Sequence, residues 1–365
     1  MFDVGIGLFE SVRIRNEHLT FPSYCPFVLV HASTARPAML RPEHCLRTPP
    51  AIAPAAVTSL PALSCLRPRA VRLPREAPLP RGKTSSTVRA SALPMREAAA
   101  ARMPSLPHRE VALALAEEVY ARLGAQLLPS AVPADVAEFV NGAGTAVGTL
   151  DVRRGAPASS IDFVLQSSLH CKVPNGAIDI TSILIFLDAS TDAPHFLMEF
   201  IQGSPASMVV ILDLLPRKDL ALHPEYIEKY YQNTQLDKQR EKIEELPQTR
   251  PYRSTSLFVR SACSPTAVSV SIDCGQGGES ILEEIVYGHL ASVAKGVLQI
   301  WLDSCAGNTS EMTEVEREAM VKRDQIVRSK SIEVDLTANL PRMFGSDVSS
   351  RVIAEIRKAF GVQEA

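Results

Sequence analysis

The sequence predicts an α/β fold built on an antiparallel sheet with helices packed on its faces. Three observations predict it. Strand-like segments follow one another through brief turns, with no crossover helix between them, and strands joined that way pair antiparallel. Ser207-Met208-Val209-Val210-Ile211-Leu212 is almost wholly apolar, as a central strand covered on both faces must be. Helix-patterned segments precede and follow the strand run.

Taken in order, Pro107–Leu123 reads as a helix, because Val111, Leu115 and Val119 recur at four-residue spacing and Gly124 follows as a stop. Strand segments follow at roughly 143–153, 160–170, 178–187, 195–202 and 207–215. His223-Pro224-Glu225 opens another helix, with Pro at its first position. The charged stretch from Asp237 to Glu245 reads as a solvated helix face. Residues 255–263 and 266–273 read as a last hairpin. A long helix over Ser280–Ser304 places Ile281, Ile285, Val293, Val297 and Trp301 on its buried side, and a charged helix follows at about 311–329. The final helix, about Ser346 to Phe360, carries Val348, Val352, Ile356 and Phe360 at four-residue spacing. No internal repeat and no second boundary falls within 101–365, so those residues are expected to form a single domain.

The 365 residues are 46% apolar, enough for a sizeable core, and the net charge of −2 hides an asymmetry. Residues 1–100 carry 13 Lys+Arg against 6 Asp+Glu, and the rest carry 25 against 34. An acidic body argues against general nucleic-acid binding, which needs a basic footprint. The seven cysteines form no CxxC pair and are odd in number, so neither a zinc site nor a disulfide framework fits and a reducing compartment is expected. No uninterrupted apolar run of about 18 residues exists, so no membrane span is expected.

The first hundred residues hold 13 of the 27 prolines. From Met39 to Arg89 they are rich in Arg, Ser, Ala and Pro, with Glu43 and Glu76 as the only acids. An Arg-rich, acid-poor leader is the signature of an organelle transit peptide, so 39–100 is expected to be a disordered organelle address with Val88-Arg89-Ala90-Ser91 as its processing region. Residues 1–38, with their own acids and a Phe27-Val28-Leu29-Val30 run, are expected to be a disordered extension upstream of a natural start at Met39.

Glu199 is the residue on which chemistry centres. It lies inside Phe196-Leu197-Met198-Glu199-Phe200-Ile201, whose two strand faces are both apolar. A desolvated carboxyl holds its proton more tightly and can donate it at neutral pH, which makes Glu199 a candidate acid. The same hexapeptide fits a structural Glu paired with an arginine, and on the residues alone both stay open. Other motifs fall away. In Gly142-Ala143-Gly144-Thr145-Ala146-Val147-Gly148, Val147 replaces the third Gly of a dinucleotide loop and a strand follows instead of a helix. Gly82-Lys83-Thr84 lacks the earlier Gly of a phosphate loop and lies in the leader. No HExxH or GxSxG occurs, adjacent His170 and Cys171 are poor partners for one metal ion, and His195 and His223 each stand alone. The sequon Asn308-Thr309-Ser310 matters only in the secretory path. No flavin, nicotinamide or metal site is indicated, so any redox power has to come from the substrate or a partner protein.

Several segments carry a family resemblance: Ser160-Ile161-Asp162-Phe163, Leu169-His170-Cys171, Ile178-Asp179-Ile180-Thr181-Ser182, Ser190-Thr191-Asp192-Ala193-Pro194-His195-Phe196, Pro216-Arg217-Lys218-Asp219-Leu220, Leu222-His223-Pro224, Ser264-Pro265-Thr266-Ala267, Ile300-Trp301-Leu302-Asp303, and Glu333-Val334-Asp335-Leu336 through Pro341-Arg342-Met343-Phe344-Gly345. In this order they resemble the red chlorophyll catabolite reductases, over about residues 105–361. The resemblance implies the α/β/α sandwich of the ferredoxin-dependent bilin reductases, a central antiparallel sheet flanked by helices on both faces. It implies reduction of red chlorophyll catabolite, an opened linear tetrapyrrole, to the primary fluorescent catabolite during chlorophyll breakdown in senescence. It also implies a plastid as the organelle addressed by 39–100, a location in the chloroplast stroma, no bound cofactor, and single electrons from the 2Fe-2S centre of reduced ferredoxin, near −400 mV in the plant type. Glu199 and Asp335 are the two pocket carboxylates that it implies as proton donors. On the residues alone, Asp335 alternates like a solvent-face strand residue. At Cys263, where relatives carry larger or branched apolar side chains that shape the protonated face, this sequence departs. Candidate ferredoxin-docking cations are Arg217 with Lys218, Lys322 with Arg323, and Arg328 with Lys330. Contacts with other chlorophyll-breakdown enzymes and a homodimer stay open. So do two rival readings: reduction of a haem-derived bilin on the same fold, and a protein that sequesters tetrapyrroles without turning them over.

Sequencing the amino terminus of the precursor translated from the native message is expected to find Met39 first. Residues 1–38 in that product would refute the upstream reading.

Overall fold

The computed structural model describes residues 103–174 and 176–363, apart from the side chains of Val334, Asp335 and Ala338. The extension expected over 1–38 and the whole leader expected over 39–100 lie outside them. Eight strands form one sheet: β1 Glu138–Val140, β2 Ala146–Arg154, β3 Ile161–Val173, β4 Gly176–Leu187, β5 His195–Ser204, β6 Ser207–Leu215, β7 Thr249–Pro251 and β8 Val268–Asp273. Their spatial order is β1-β2-β3-β4-β5-β6-β8-β7, and every pair is antiparallel. From β1 to β6 chain order and spatial order coincide, as short connections require.

Helices cover both faces, because the central strands are apolar on both. On β5, Phe196, Met198 and Phe200 belong to one hydrophobic cluster, and Leu197 and Ile201 face the other. The first face is covered by α1 (Pro107–Leu123), α3 (Pro224–Ile227), α4 (Leu236–Glu244), α6 (Glu279–Ile285) and α7 (Ala291–Ser304). The second carries α2 (Ala134–Ala137), α5 (Leu257–Ala262), α8 (Glu314–Ser331) and α9 (Thr337–Phe360). Together, Glu279–Ser304 is long and apolar enough to cross a bilayer, yet Leu290, Val293, Val297, Leu298 and Trp301 are buried in the first cluster. Trp301 Nε1 donates to the Pro194 carbonyl at 2.9 Å, which satisfies its polar end. Ile281 departs from its expected burial and is 42% exposed.

The helix of 107–123 and the five strand segments fall where periodicity puts them, with ends displaced by a few residues. The expected last hairpin does not form. Residues 257–262 are helical, because the Ser256 side chain accepts from the Val259 N–H and caps a turn. β8 pairs with β6 and with the short β7 instead. The strand-like alternation of 332–336 is also overturned: Ile332–Leu336 is a wide helical turn that runs from α8 into α9. The last helix starts earlier than the 346–360 pattern suggests. Residues 337–344 form a first arm containing Pro341, and Gly345, at φ 78°, ψ 166°, separates it from the second. That conformation is one that glycine adopts at little cost.

A buried ionic junction ties α8 to the rim of the sheet. Arg217 Nη2 and Nε donate to Asp324 Oδ2 at 2.6 and 3.1 Å, and its Nη1 donates to the Thr191 carbonyl at 2.7 Å. His195 Nδ1 accepts from the Leu187 N–H at 3.1 Å, so Nε2 carries the proton and donates to Asp324 Oδ1 at 3.1 Å. Burial holds the imidazole down to about 4 despite Asp324, so it is neutral. Burial pushes the Asp324 carboxyl up, but His195 and Arg217 outweigh it and hold it well below the usual carboxylate range.

Removing one partner of such a pair leaves an uncompensated buried charge. Arg217→Met is expected to cost about 3–5 kcal/mol in urea unfolding, with much of the loss recovered in Arg217→Met/Asp324→Leu.

Candidate functional site

Glu199 lies on the second face of the sheet, in register with Ser182 on β4 and Ile211 on β6. It is fully buried. Ser182 Oγ donates to its Oε1 at 3.3 Å. The alternation that makes the strand apolar on both faces gives the carboxyl no route to solvent, so it sits in a small cavity between sheet and helix. Leu165, Ser167, Ile180 and Leu184 form the floor beside it, and Leu336, Asn339, Leu340, Ile356 and Phe360 form the roof. The rest of the lining is mostly apolar, with Ser167, Ser182 and Asn339 as its polar members.

The cavity measures about 50 Å³. That is room for a few waters, whereas pockets for drug-sized ligands run from roughly 300 to 1,000 Å³. The roof leaves Glu199 fully buried. It is also the irregular part of the helical layer, because it includes the wide turn Ile332–Leu336, Pro341 and the break at Gly345. Proline removes a helical hydrogen bond, so this arm is held less firmly by its own backbone than an uninterrupted helix.

The other two sequence-derived residues stand differently. Asp335 belongs to the turn Ile332–Leu336, immediately before the roof residue Leu336. Its solvent-facing strand position is thus replaced by a helical one, and its side chain lies outside the described residues. Cys263 is the C-terminal cap of α5 and packs against the second hydrophobic cluster. It does not enter the wall of the cavity. Burial, and then neighbouring Asp213, push its thiol well above the ordinary range, so it is a neutral, soft apolar group at this position.

Sequence reasoning passed over Asp213. It stands on β6 opposite Leu197, which makes it a diagonal neighbour of Glu199 on the same face, at a Cα separation of about 7–8 Å. Its Oδ2 accepts from the Ser264 N–H at 2.8 Å and its Oδ1 from Ser264 Oγ at 2.5 Å. No cation pairs with it among the described residues. Burial raises its carboxyl to about 6, against the opposing pull of Ser264. The signal was present: Ile211-Leu212-Asp213-Leu214-Leu215 encloses one acid in hydrocarbon as the Glu199 segment does. Asp213 anchors the turn that follows Cys263.

An antiparallel sheet between two helical layers defines an α/β sandwich, a fold shared with a solved plant protein. Phytochromobilin synthase from tomato, solved in complex with biliverdin, superposes with a TM-score of 0.53 over 69% of this chain and 82% of its own, at 18% identity. The family model for red chlorophyll catabolite reductase (RCC reductase) matches residues 107–358, and the chain belongs to that family. It is 69% identical to red chlorophyll catabolite reductase 1, chloroplastic, of Oryza sativa subsp. japonica, over 88% of this chain and 99% of that protein. It is 80% identical to the red chlorophyll catabolite reductase of Hordeum vulgare over 56% of this chain and all of that one. The chloroplastic enzyme of Arabidopsis thaliana is 48% identical over 70% of this chain and 80% of its own.

Asp213 gives a signed pH dependence. Its folded value lies above the unfolded 3.8, so the folded state binds the extra proton between about 4 and 6 and loses relative stability as pH rises through that window. Asp213→Asn is expected to gain on the wild type by up to about 3 kcal/mol between pH 4 and pH 7, read from urea unfolding at both values.

Proposed function

We propose that the protein reduces red chlorophyll catabolite, an opened linear tetrapyrrole, at a methine bridge, using single electrons from reduced ferredoxin and protons from pocket carboxyls. The observation that carries this reading is Glu199, fully buried on an apolar sheet face and opening into a cavity roofed by the C-terminal helix. Family membership and the names of the rice, barley and Arabidopsis relatives support the substrate. The chloroplastic rice and Arabidopsis proteins also support a chloroplast location, and we place the protein in the stroma, where ferredoxin is reduced.

The chemistry needs two electrons and two protons per carbon–carbon double bond. A first electron makes the bound pigment a radical anion, and a proton transferred to carbon neutralises it. A second electron and a second proton then complete two new C–H bonds, and two ferredoxins leave oxidised. Glu199 is suited to hold one of these protons in hydrocarbon and release it where negative charge develops. Ser182 Oγ is placed to donate to the carboxylate left behind. Asp335 is the second donor in this reading, while Cys263, next to the Ser264–Asp213 anchor, stands outside the cavity lining and is assigned no part in the proton transfer. Because the cavity, about 50 Å³, is smaller than the pigment, the pigment enters by displacing the 332–344 arm, and the roof then excludes solvent from the radical.

An anaerobic assay with reduced ferredoxin and either red chlorophyll catabolite or biliverdin separates the readings. A blue-fluorescing product from the red catabolite alone is the expected result. Turnover of biliverdin would move the assignment to haem-derived bilins, and tight binding without turnover would make the protein a pigment carrier. Glu199→Gln is expected to lower kcat by about 10²–10⁴ while pigment affinity, read by absorbance titration, changes little.

A further inference from the structure

A second cleft lies apart from the Glu199 cavity. It encloses about 490 Å³ between α5 and the N-terminal half of α8, with the loop that follows β6 along one side. Leu222 and Val315, each 76% exposed, and Ile326, 45% exposed, stand at it, and Leu257, 73% exposed, adjoins its wall residue Phe258. These are four of the eight large apolar side chains exposed among the described residues, and such gathering marks an interaction surface.

The charges around the cleft are unequally engaged. Arg217 is consumed by Asp324, and Lys218 is held by Asp192 at 3.0 Å and Glu316 at 3.4 Å. The cleft's acids are spent as well. Glu316 also caps α8 through Thr313, and Asp219 Oδ1 accepts from the N–H groups of Ala221 and Leu222. Arg323 gives only its Nε, to the Pro216 carbonyl. Lys322 is exposed, and no acid pairs with it among the described residues. Exposed Arg260 on α5 is in the same condition. The remaining sequence candidates are already bound, Arg328 to Asp162 at 2.8 Å and Lys330 to Glu333 at 2.7 Å. What faces outward from this cleft is an apolar surface with net positive charge, on a body that is acidic overall.

Its place on the fold gives it a role. Leu215, the last residue of β6, pairs with His195 on β5, four residues from Glu199, or about 13 Å along the strand. The loop bordering the cleft leaves the sheet there, and α5 and α8 both pack, through Val259 and Val327, on the same hydrophobic cluster as the site.

We infer that this cleft is where an acidic one-electron carrier protein docks, with Lys322 and Arg323 as steering cations and Leu222, Val315 and Ile326 as the apolar contact. The inference rests on the functional reading above and deepens it by naming the partner's surface. A positive patch in an acidic body orients an acidic partner before contact, and exposed apolar residues around it hold the encounter complex.

The test uses the full chain and a plant-type [2Fe-2S] ferredoxin as probe. Lys322→Glu and Leu222→Ser/Val315→Ser change exposed residues outside the pigment site. Each is expected to weaken ferredoxin binding at low ionic strength by about tenfold or more, with the salt dependence flattened in the charge variant. Turnover driven by a chemically reduced viologen is expected to stay at the wild-type rate in both. Wild-type ferredoxin affinity in the two variants would overturn the docking surface. So would an equal loss in viologen-driven turnover, or a change from dimer to monomer in light scattering that marks the cleft as a contact between copies. Ferredoxin binding lost in the variants, alongside a wild-type protein inert with viologen and red catabolite, would keep the docking surface and remove the functional reading.

Discussion

The structure depends on central strands that are buried on both faces. β4, β5 and β6 carry large apolar side chains in both directions, so the sheet has no wet side and must be closed by two helical layers. The arrangement leaves no neutral place for a charge. Each buried acid in this fold is therefore met by a specific answer. Asp324 is held by Arg217 and His195, Asp179 by Arg109 at 3.0 Å and His170 at 2.8 Å, and Asp213 by two bonds from Ser264. Glu199 is the one that opens into a cavity. The constraint that stabilises the sandwich also prepares the carboxyl on which the proposed chemistry relies.

Much of this was legible in the residues. Period-two and period-four patterns place five strands and the first helix because burial follows those periods directly. Glu199 was legible for the same reason, since an acid between Met198 and Phe200 has no polar face to occupy. Asp213 was equally visible in principle and was missed, because an apolar run with one acid reads first as a central strand. The failures are local. Ser256 turns a strand-like segment into a helix with one hydrogen bond. The 332–336 stretch alternates by chance across a wide helical turn. Periodicity does not register a cap or a change of helical pitch.

The site as a whole was not legible, because it is assembled from distant parts. Ser182 reaches Glu199 through strand register, and the roof arrives from more than a hundred residues downstream. Nor does the pattern reveal the cavity. That Leu336, Asn339 and Leu340 line it together with Leu165, Ile180 and Leu184 is a matter of three-dimensional fit. A small cavity suits the radical chemistry proposed above, since it has little room for water or oxygen.

The order of the chain adds a consequence for biogenesis. Every roof residue, Leu336 through Phe360, lies downstream of all eight strands. As the polypeptide emerges amino end first, the sheet can pair while its second face carries only the short helices α2 and α5. During that interval a broad sticky surface is open to chaperones, to stray pigments or to other nascent chains. Only the arrival of the last two helices seals it, so quality control over this protein is in effect control over its carboxyl-terminal end.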